Sequence, residues 1–550
     1  MPEHYAELFR QDFSDLDAAA KSWKNLVEKF SDAQNGSGGK VSGPLHAAGW
    51  EGESAHFGFA ALEATESKLG TASTNVGLIA SVLETLSGRM QAAQRKLRNA
   101  VRDAEEAGHT VTADGWVEPK KAVDPRYHND PDYENIQQEA NRDLGMYRSR
   151  IGDAISDALT ASSQAAEALR QIDPFDLDKR YGGEKAREDA QRVADFMGLE
   201  EGSVPDSERP GKNAEWWNGL DDSEKRVYLA ALPDRIGALD GLPATVRDQA
   251  NRTVIDNHLN DYALRENSLG IHERSTYASL QKLKDRLDET EASPEHKKLY
   301  VLGIGTEGDG KAIVAMGNPD KADHTAVLVP GTDTDLGSMP GQISRIDRLQ
   351  DAALAQSPNE DVAVISWLGY DAPEIDGSVA SKGRAEEGAA DLRGFTEGTR
   401  AAHEGGRGHL TVTGHSYGTT MVGVAASGGR GLEADDIIAL GSPGMGVDKA
   451  ADLQVDPDHV WVGATQQDPI VKHASNLTLG INPAREGFGA QPIAVNDGGH
   501  SSYWDSGKES LRNQGRIIVG HRPNTGEYYH GKESEINPVG PDGTPLLIPG

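Results

Sequence analysis

The amino-acid pattern changes near Lys298, and this change constrains the fold more than any other feature of the chain. Beyond it, short apolar runs rich in Val, Ile and Leu recur, and helix-length segments separate most of them. The predicted strands are Leu299–Ile304, Ala312–Met316, Thr325–Val329, Val362–Trp367, Leu410–Thr413, Ile437–Leu440, His459–Ala464 and Ile493–Val495. Short apolar strands that alternate with helices are typical of a mostly parallel sheet covered on both faces. The first two, joined across Gly305–Gly310, predict an antiparallel hairpin at the sheet edge.

Before Lys298 the apolar residues instead repeat every three or four positions, which is the period of an amphipathic helix. The longest series runs from after Gly52 to about Glu106 without a proline. A helix of that length would extend roughly 80 Å at ~1.5 Å per residue, so it must pack against other helices. Similar series at 16–30 and 136–172 supply them. We therefore predict a long all-α bundle.

These patterns predict four regions, in line with about 100–200 residues per domain. They are a helical bundle over 1–200, a helical connector over 201–297, an α/β domain over 298–530 and an irregular Pro- and Gly-rich tail over 531–550. At the start of the connector, the composition of 201–214 predicts a linker.

Composition excludes several function classes. The chain has 87 acidic and 55 basic side chains, a net charge of −32, which opposes non-specific binding to nucleic acid or anionic membrane. It contains no cysteine, which excludes disulfides and thiolate chemistry. No run of about 18 uncharged apolar residues occurs, so no transmembrane helix is predicted. The acidic first 20 residues do not resemble a signal peptide, so the expected location is cytoplasmic.

The most informative motif is Gly414-His415-Ser416-Tyr417-Gly418, a G-x-S-x-G pattern that is weak alone because it often arises by chance. Here a β-branched strand precedes it and a helix of small residues follows it. A serine nucleophile must project from a tight strand-to-helix turn, and glycines two residues away on either side let the two backbones approach. The setting predicts that Ser416 is a nucleophile; the alternative is an ordinary glycine-bounded turn.

A serine nucleophile needs a base and a carboxylate that orients it, and here these should follow in the order Ser, Asp, His. Asp468 comes directly after a predicted strand, and His500 lies in a glycine-rich loop. Alternatively, Asp468 only initiates a turn before Pro469, and His500 is a surface loop residue among 17 histidines. Rival bases are His473, His459 and His403. His415, beside the nucleophile, is expected to pack beneath the turn.

The oxyanion that forms during acyl transfer needs two preorganised donors. We expect one from the backbone N–H of Tyr417 and the other from the Gly331/Thr332 backbone after the third predicted strand; the alternative there is a plain turn. Asp333 and Asp335 lack the remaining spacing of a calcium loop, and no phosphate-binding or dinucleotide fingerprint occurs in a suitable setting. We predict neither a metal nor a cofactor.

Several segments together resemble the actinobacterial α/β-hydrolase family first catalogued as a domain of unknown function. They are Leu239-Asp240-Gly241-Leu242-Pro243, Val329-Pro330-Gly331-Thr332, Gly369-Tyr370-Asp371-Ala372-Pro373, Gly414–Thr420, Asp468-Pro469 and Gly499-His500. The resemblance implies an α/β-hydrolase fold, with Ser416 as its serine and a helical region before it.

Trp50-Glu51-Gly52, between two heptad helices, is similar to the turn of the WXG-type helical hairpins of type VII secretion. This similarity implies signal-less export as an alternative location, and a helical partner or self-association through the bundle.

We expect the α/β domain to be a serine hydrolase that cleaves a carboxylic ester of a small-molecule acyl substrate. The segment Trp367–Arg384 is expected either to shape the acyl pocket or to form a surface loop. The alternative function is a type VII secretion-associated effector, or a partner-binding helical protein whose hydrolase-like domain is a toxin or a scaffold.

Overall fold

The structure, a computed structural model, describes residues 4–37, 40–41, 44–45, 48–50, 52–119, 126, 129, 131–170, 172, 184–206, 209–375, 377–473 and 478–529. The chain forms two compact units. The first consists of Met1–Gln34, Lys68–Glu200 and Asp221–Ala231, and the second of Asn35–Ser67, Glu201–Leu220 and Leu232–Gly550.

Helices make up most of the first 297 residues and flank the sheet that follows. The α-helices are α1 (Tyr5–Arg10), α2 (Ser14–Ser37), α3 (Glu53–Glu106), α4 (Tyr133–Arg170), α5 (Glu184–Met197), α6 (Pro210–Gly219), α7 (Asp222–Ala231), α8 (Pro233–Ala238), α9 (Ala244–Leu264), α10 (Ile271–Thr290), α11 (Met339–Leu354), α12 (Gly383–Ala402), α13 (Tyr417–Ser427), α14 (Pro469–His473) and α15 (Glu509–Ile518). The strands are β1 (Thr110–Val111), β2 (Val117–Glu118), β3 (Leu299–Gly305), β4 (Lys311–Met316), β5 (His324–Val329), β6 (Val362–Leu368), β7 (His409–His415), β8 (Asp436–Leu440), β9 (Val460–Gly463) and β10 (Gln491–Pro492).

The first unit contains the long helix α3 from Lys68 onwards, and the apolar stripe of this part is buried as its spacing predicts. Leu97 and Ala104 are fully buried and share one core with Leu144 and Ile151 of α4. The helical N-terminal region predicted from the sequence is thus confirmed. No helix among the described residues is long and apolar enough to cross a membrane.

The second unit contains an eight-stranded sheet in the order β10-β9-β8-β7-β5-β6-β4-β3. All neighbours from β10 across to β6 are parallel, whereas β4 is antiparallel to both β3 and β6. Helix α11 packs on α15, and α12 packs on α13. Every residue of β6 is buried, as expected for a strand covered on both faces. The predicted α/β architecture and its edge hairpin are confirmed.

Two local predictions are wrong. The last strand is Gln491–Pro492 rather than Ile493–Val495. The N–H of Ile493 still donates to the Val462 carbonyl of β9, but the next residue pairs with the C-terminal segment, because Ala494 N–H donates to the Asn524 carbonyl at 2.9 Å. The linker predicted over 201–214 ends early, because α6 begins at Pro210. Proline is well tolerated at the start of a helix, where its missing N–H has no intrahelical acceptor.

The predicted division at 200/201 and 297/298 stays a prediction. The predicted tail 531–550 lies outside the described residues, as does Glu51 of the WXG-like turn.

Candidate active site

Ser416 follows β7 directly and begins the turn into α13. Its backbone has φ 53° and ψ −132°, a conformation that residues other than glycine rarely adopt. Its N–H donates to the carbonyl of Leu440 at the end of β8, at 3.0 Å. The predicted strand-to-helix turn is therefore present, and it holds a strained serine at the carboxyl end of the sheet.

The two glycines of the motif are required by close backbone packing. A Cβ atom on Gly418 would lie 2.2 Å from the carbonyl oxygen of Val329. A Cβ atom on Gly414 would lie 2.6 Å from Cα of Thr419. Neither position has room for a side chain, so strand and helix can cross this closely only with glycine at both.

Asp468 and His500 are brought together although 32 residues separate them. Nδ1 of His500 lies 3.0 Å from Oδ1 and 2.9 Å from Oδ2 of Asp468. A carboxylate can only accept, so in the neutral imidazole Nδ1 carries the proton and Nε2 has the lone pair. Asp468 also caps α14 by accepting the Ile470 N–H at 2.9 Å, so the turn-initiating role coexists with the histidine contact.

Gly441 connects this pair to the serine. It follows Leu440, the residue that accepts the Ser416 N–H. A Cβ atom on Gly441 would lie 2.7 Å from Oδ2 of Asp468 and 3.1 Å from Nδ1 of His500. The three predicted residues therefore surround one corner, at the end of β8.

Tyr503 is a fourth member of the cluster that sequence reasoning did not identify. Its hydroxyl donates to Oδ2 of Asp468 at 2.7 Å and accepts the Thr465 N–H at 3.2 Å. Burial tends to raise the pKa of Asp468, but the hydrogen bonds from His500 and Tyr503 outweigh it and hold that pKa below its usual value. No motif signals this tyrosine, whose role depends on the loop geometry after His500.

His415 packs beneath the turn as expected, but it also contacts the predicted base. Its Nε2 lies 2.8 Å from the backbone carbonyl of His500, and the two ring centroids are 4.5 Å apart. Burial, together with the charge of Arg345 and the charge that His500 has when protonated, lowers the pKa of His415 well below its usual value. His415 is therefore neutral, and Nε2–H is its donor.

The predicted oxyanion loop lies against the nucleophile. A Cβ atom on Gly331 would be 2.8 Å from Cβ of Ser416 and 3.0 Å from the backbone nitrogen of Tyr417. Thr332 follows and is half-buried. The hydroxyl of Tyr370 donates to the Pro330 carbonyl at 2.8 Å and so anchors the start of this loop.

One contact of the predicted site is not formed: within the described residues, Nε2 of His500 is buried and has no hydrogen-bond partner. The rival bases have other surroundings. His459 contacts Asp436 at 2.9 Å and His403 contacts the Ala322 carbonyl at 2.9 Å. The side chain of His473 lies outside the described part of the chain. In that part, no cluster of three or more metal-ligating side chains occurs.

The chain is similar to a known protein family and to mycobacterial relatives. Residues 306–478 match the model of a family described as alpha/beta hydrolase. An uncharacterized protein of Mycobacterium tuberculosis is 33% identical over 362 residues, which are 56% of this chain and 55% of the relative. An uncharacterized protein of Mycobacterium bovis is 30% identical over 228 residues, 40% of this chain and 80% of the relative. The chain thus spans about half the length of the first of these relatives.

Among solved structures, the chain is similar to a truncated carbohydrate esterase from gut microbiota. The TM-score is 0.25 at 12% identity, and the match covers 38% of this chain and 90% of that one.

Proposed function

Because the chain belongs to the α/β-hydrolase family, we propose that it is a serine hydrolase that cleaves carboxylic esters through a covalent acyl-enzyme. The observation that carries the proposal is the buried Asp468–His500 pair beside the strained turn of Ser416. The proposed substrate class is a small-molecule acyl ester.

In this proposal, Oγ of Ser416 attacks the acyl carbon while Nε2 of His500 takes its proton. The tetrahedral intermediate collapses, the C–O bond to the alcohol breaks, and the imidazolium returns the proton to the leaving alkoxide. Water then attacks the acyl-enzyme with His500 again as base, which releases the carboxylic acid and restores Ser416. The free, buried Nε2 described above suits this role, because its lone pair is unused.

Asp468 keeps the proton of His500 on Nδ1 and stabilises the imidazolium that forms. The backbone N–H groups of Tyr417 and of Gly331/Thr332 are proposed to hold the oxyanion. Support for the pair is the proximity of Gly331 to Tyr417, and the place of Tyr417 in the first turn of α13, where N–H groups have no intrahelical acceptor.

A fluorophosphonate probe, which modifies only activated serines, tests the proposal. We expect labelling of the wild type and none of Ser416→Ala. Ser427→Ala, at the other end of α13, is the matched control and should label normally, because its hydroxyl donates to the Val424 carbonyl within its own helix. Folded wild type that neither labels nor turns over short-chain aryl esters would show that the proposal is wrong.

A further inference from the structure

Two arginines of helix α11 have no carboxylate partner within the described residues. Nη1 of Arg345 has only a 3.4 Å contact with the Gln342 side chain, and Nη1 of Arg348 a 3.4 Å contact with the Trp504 carbonyl. The acidic residues of the same helix bind elsewhere: Asp347 and Asp351 both contact Lys297 at 2.6 Å. A half-buried guanidinium without a counter-ion is costly, and in a chain with a net charge of −32 it calls for an explanation.

The guanidinium of Arg345 lies on Trp504, 4.7 Å from the ring centroid. The indole Nε1 of Trp504 is buried, and among the described residues it has no hydrogen-bond partner. A buried donor of this kind normally finds an acceptor. Two independent observations therefore indicate a missing acceptor at the same place: an uncompensated positive charge and an unsatisfied N–H.

This place is next to the proposed catalytic histidine. The ring of Trp504 lies 4.6 Å from that of His415, edge to face, and His415 lies 4.5 Å from His500. Arg345 is thus linked to His500 through a series of ring contacts, first with Trp504 and then with His415.

We propose that Arg345, Arg348 and the indole N–H of Trp504 form a subsite for an oxyanion, a carboxylate or a phosphate group carried by the acyl substrate. This inference rests on the proposed function and adds a substrate class to it, namely esters with a second, ionised group. A guanidinium fork matches the oxygens of a carboxylate or phosphate, and the oxyanion supplies the acceptors that Arg345 and Trp504 lack.

The test compares two five-carbon acyl esters, 4-nitrophenyl valerate and mono-4-nitrophenyl glutarate, which differ in a terminal carboxylate. We expect the wild type to prefer the glutarate ester in kcat/KM by about 10- to 100-fold, the range for a hydrogen-bonded charge. Arg345→Gln should remove the preference, and Arg345→Lys should keep part of it. The ratio of the two esters is insensitive to a loss of folded protein.

Arg512→Gln is the matched control, because Arg512 is an exposed arginine of the neighbouring helix α15 that is paired with Glu509. It should leave the ratio unchanged. Equal ratios in the wild type and Arg345→Gln would overturn the subsite.

Inorganic phosphate separates the subsite from the catalysis. It should raise KM for the glutarate ester without changing kcat, and this effect should vanish in Arg345→Gln. If the wild type cleaves neither ester and takes no fluorophosphonate, the proposed function fails. Calorimetric titration with inorganic phosphate then tests whether the subsite exists. Phosphate binding to the wild type that Arg345→Gln loses supports it, and no binding to the wild type refutes it.

Discussion

Replacing Asp468 by asparagine should move the imidazole proton of His500 from Nδ1 to Nε2. Oδ1 accepts the Ile470 N–H at 2.9 Å, so the amide oxygen of the substituted side chain would take that position and its NH₂ the position of Oδ2. Oδ2 lies 2.9 Å from Nδ1 of His500. The NH₂ group would then donate to Nδ1 and place the imidazole proton on Nε2, where the proposed base needs its lone pair, while the Tyr503 hydroxyl would lose Oδ2 as its acceptor.

The activity of Asp468→Asn should fall because the proposed base can take a proton only when Nε2 is unprotonated. Where a carboxylate orients a catalytic histidine in this way, the Asn variant loses about 10⁴-fold in rate, which is about 5 kcal/mol of transition-state stabilisation. We expect a decrease of about 10³- to 10⁴-fold in kcat/KM for 4-nitrophenyl butyrate, on the same scale, and a similar decrease in the rate of fluorophosphonate labelling.

Two variants serve as controls. Tyr503→Phe removes a donor to Asp468 but leaves the proton on Nδ1, so its activity should fall much less than that of Asp468→Asn. Asp436→Asn changes another buried carboxylate, at the start of strand β8. This carboxylate binds His409 and His459. The folded fraction of Asp436→Asn should take the fluorophosphonate label like the wild type. Activity of folded Asp468→Asn within tenfold of the wild type would refute the tautomer argument.

Two further predictions concern stability. Gly418→Ala should lower the free energy of unfolding by about 2 kcal/mol or more, the scale of overpacking, because its Cβ would meet the Val329 carbonyl; urea unfolding measures this, and an unchanged midpoint contradicts the packing argument. Burial raises the pKa of Asp320 from 3.8 to about 6, so its carboxyl favours the folded state below pH 4 and this contribution is lost as the pH rises to about 6. The loss is about 3 kcal/mol, and Asp320→Asn, whose amide oxygen still accepts the Ala244 N–H, should remove it from the pH profile of unfolding; parallel profiles would contradict it.

Local pattern was sufficient for the fold class and for the turn that carries Ser416. The buried strands are runs of β-branched and aliphatic residues, and the long helix follows a repeat of three and four. The spacing of Gly414 and Gly418 around Ser416 is likewise local, because the steric demand of the turn acts on residues two positions away. These features depend on neighbours in the chain, which the sequence displays directly. The last strand was misplaced because its pairing depends on a remote segment around Asn524.

The sequence by itself therefore determined most of the elements, their mostly parallel arrangement and the candidates Ser416, Asp468 and His500. Only the tertiary structure decided which side chains meet: the contact of Asp468 with His500, the donor Tyr503, the carbonyl contact of His415 and the packing of Arg345 on Trp504. The physical reason is that these contacts join loops and helices far apart in the chain. The geometry of these contacts is set by how helices and strands pack. The spacing of residues along the sequence does not encode the distance between two such side chains.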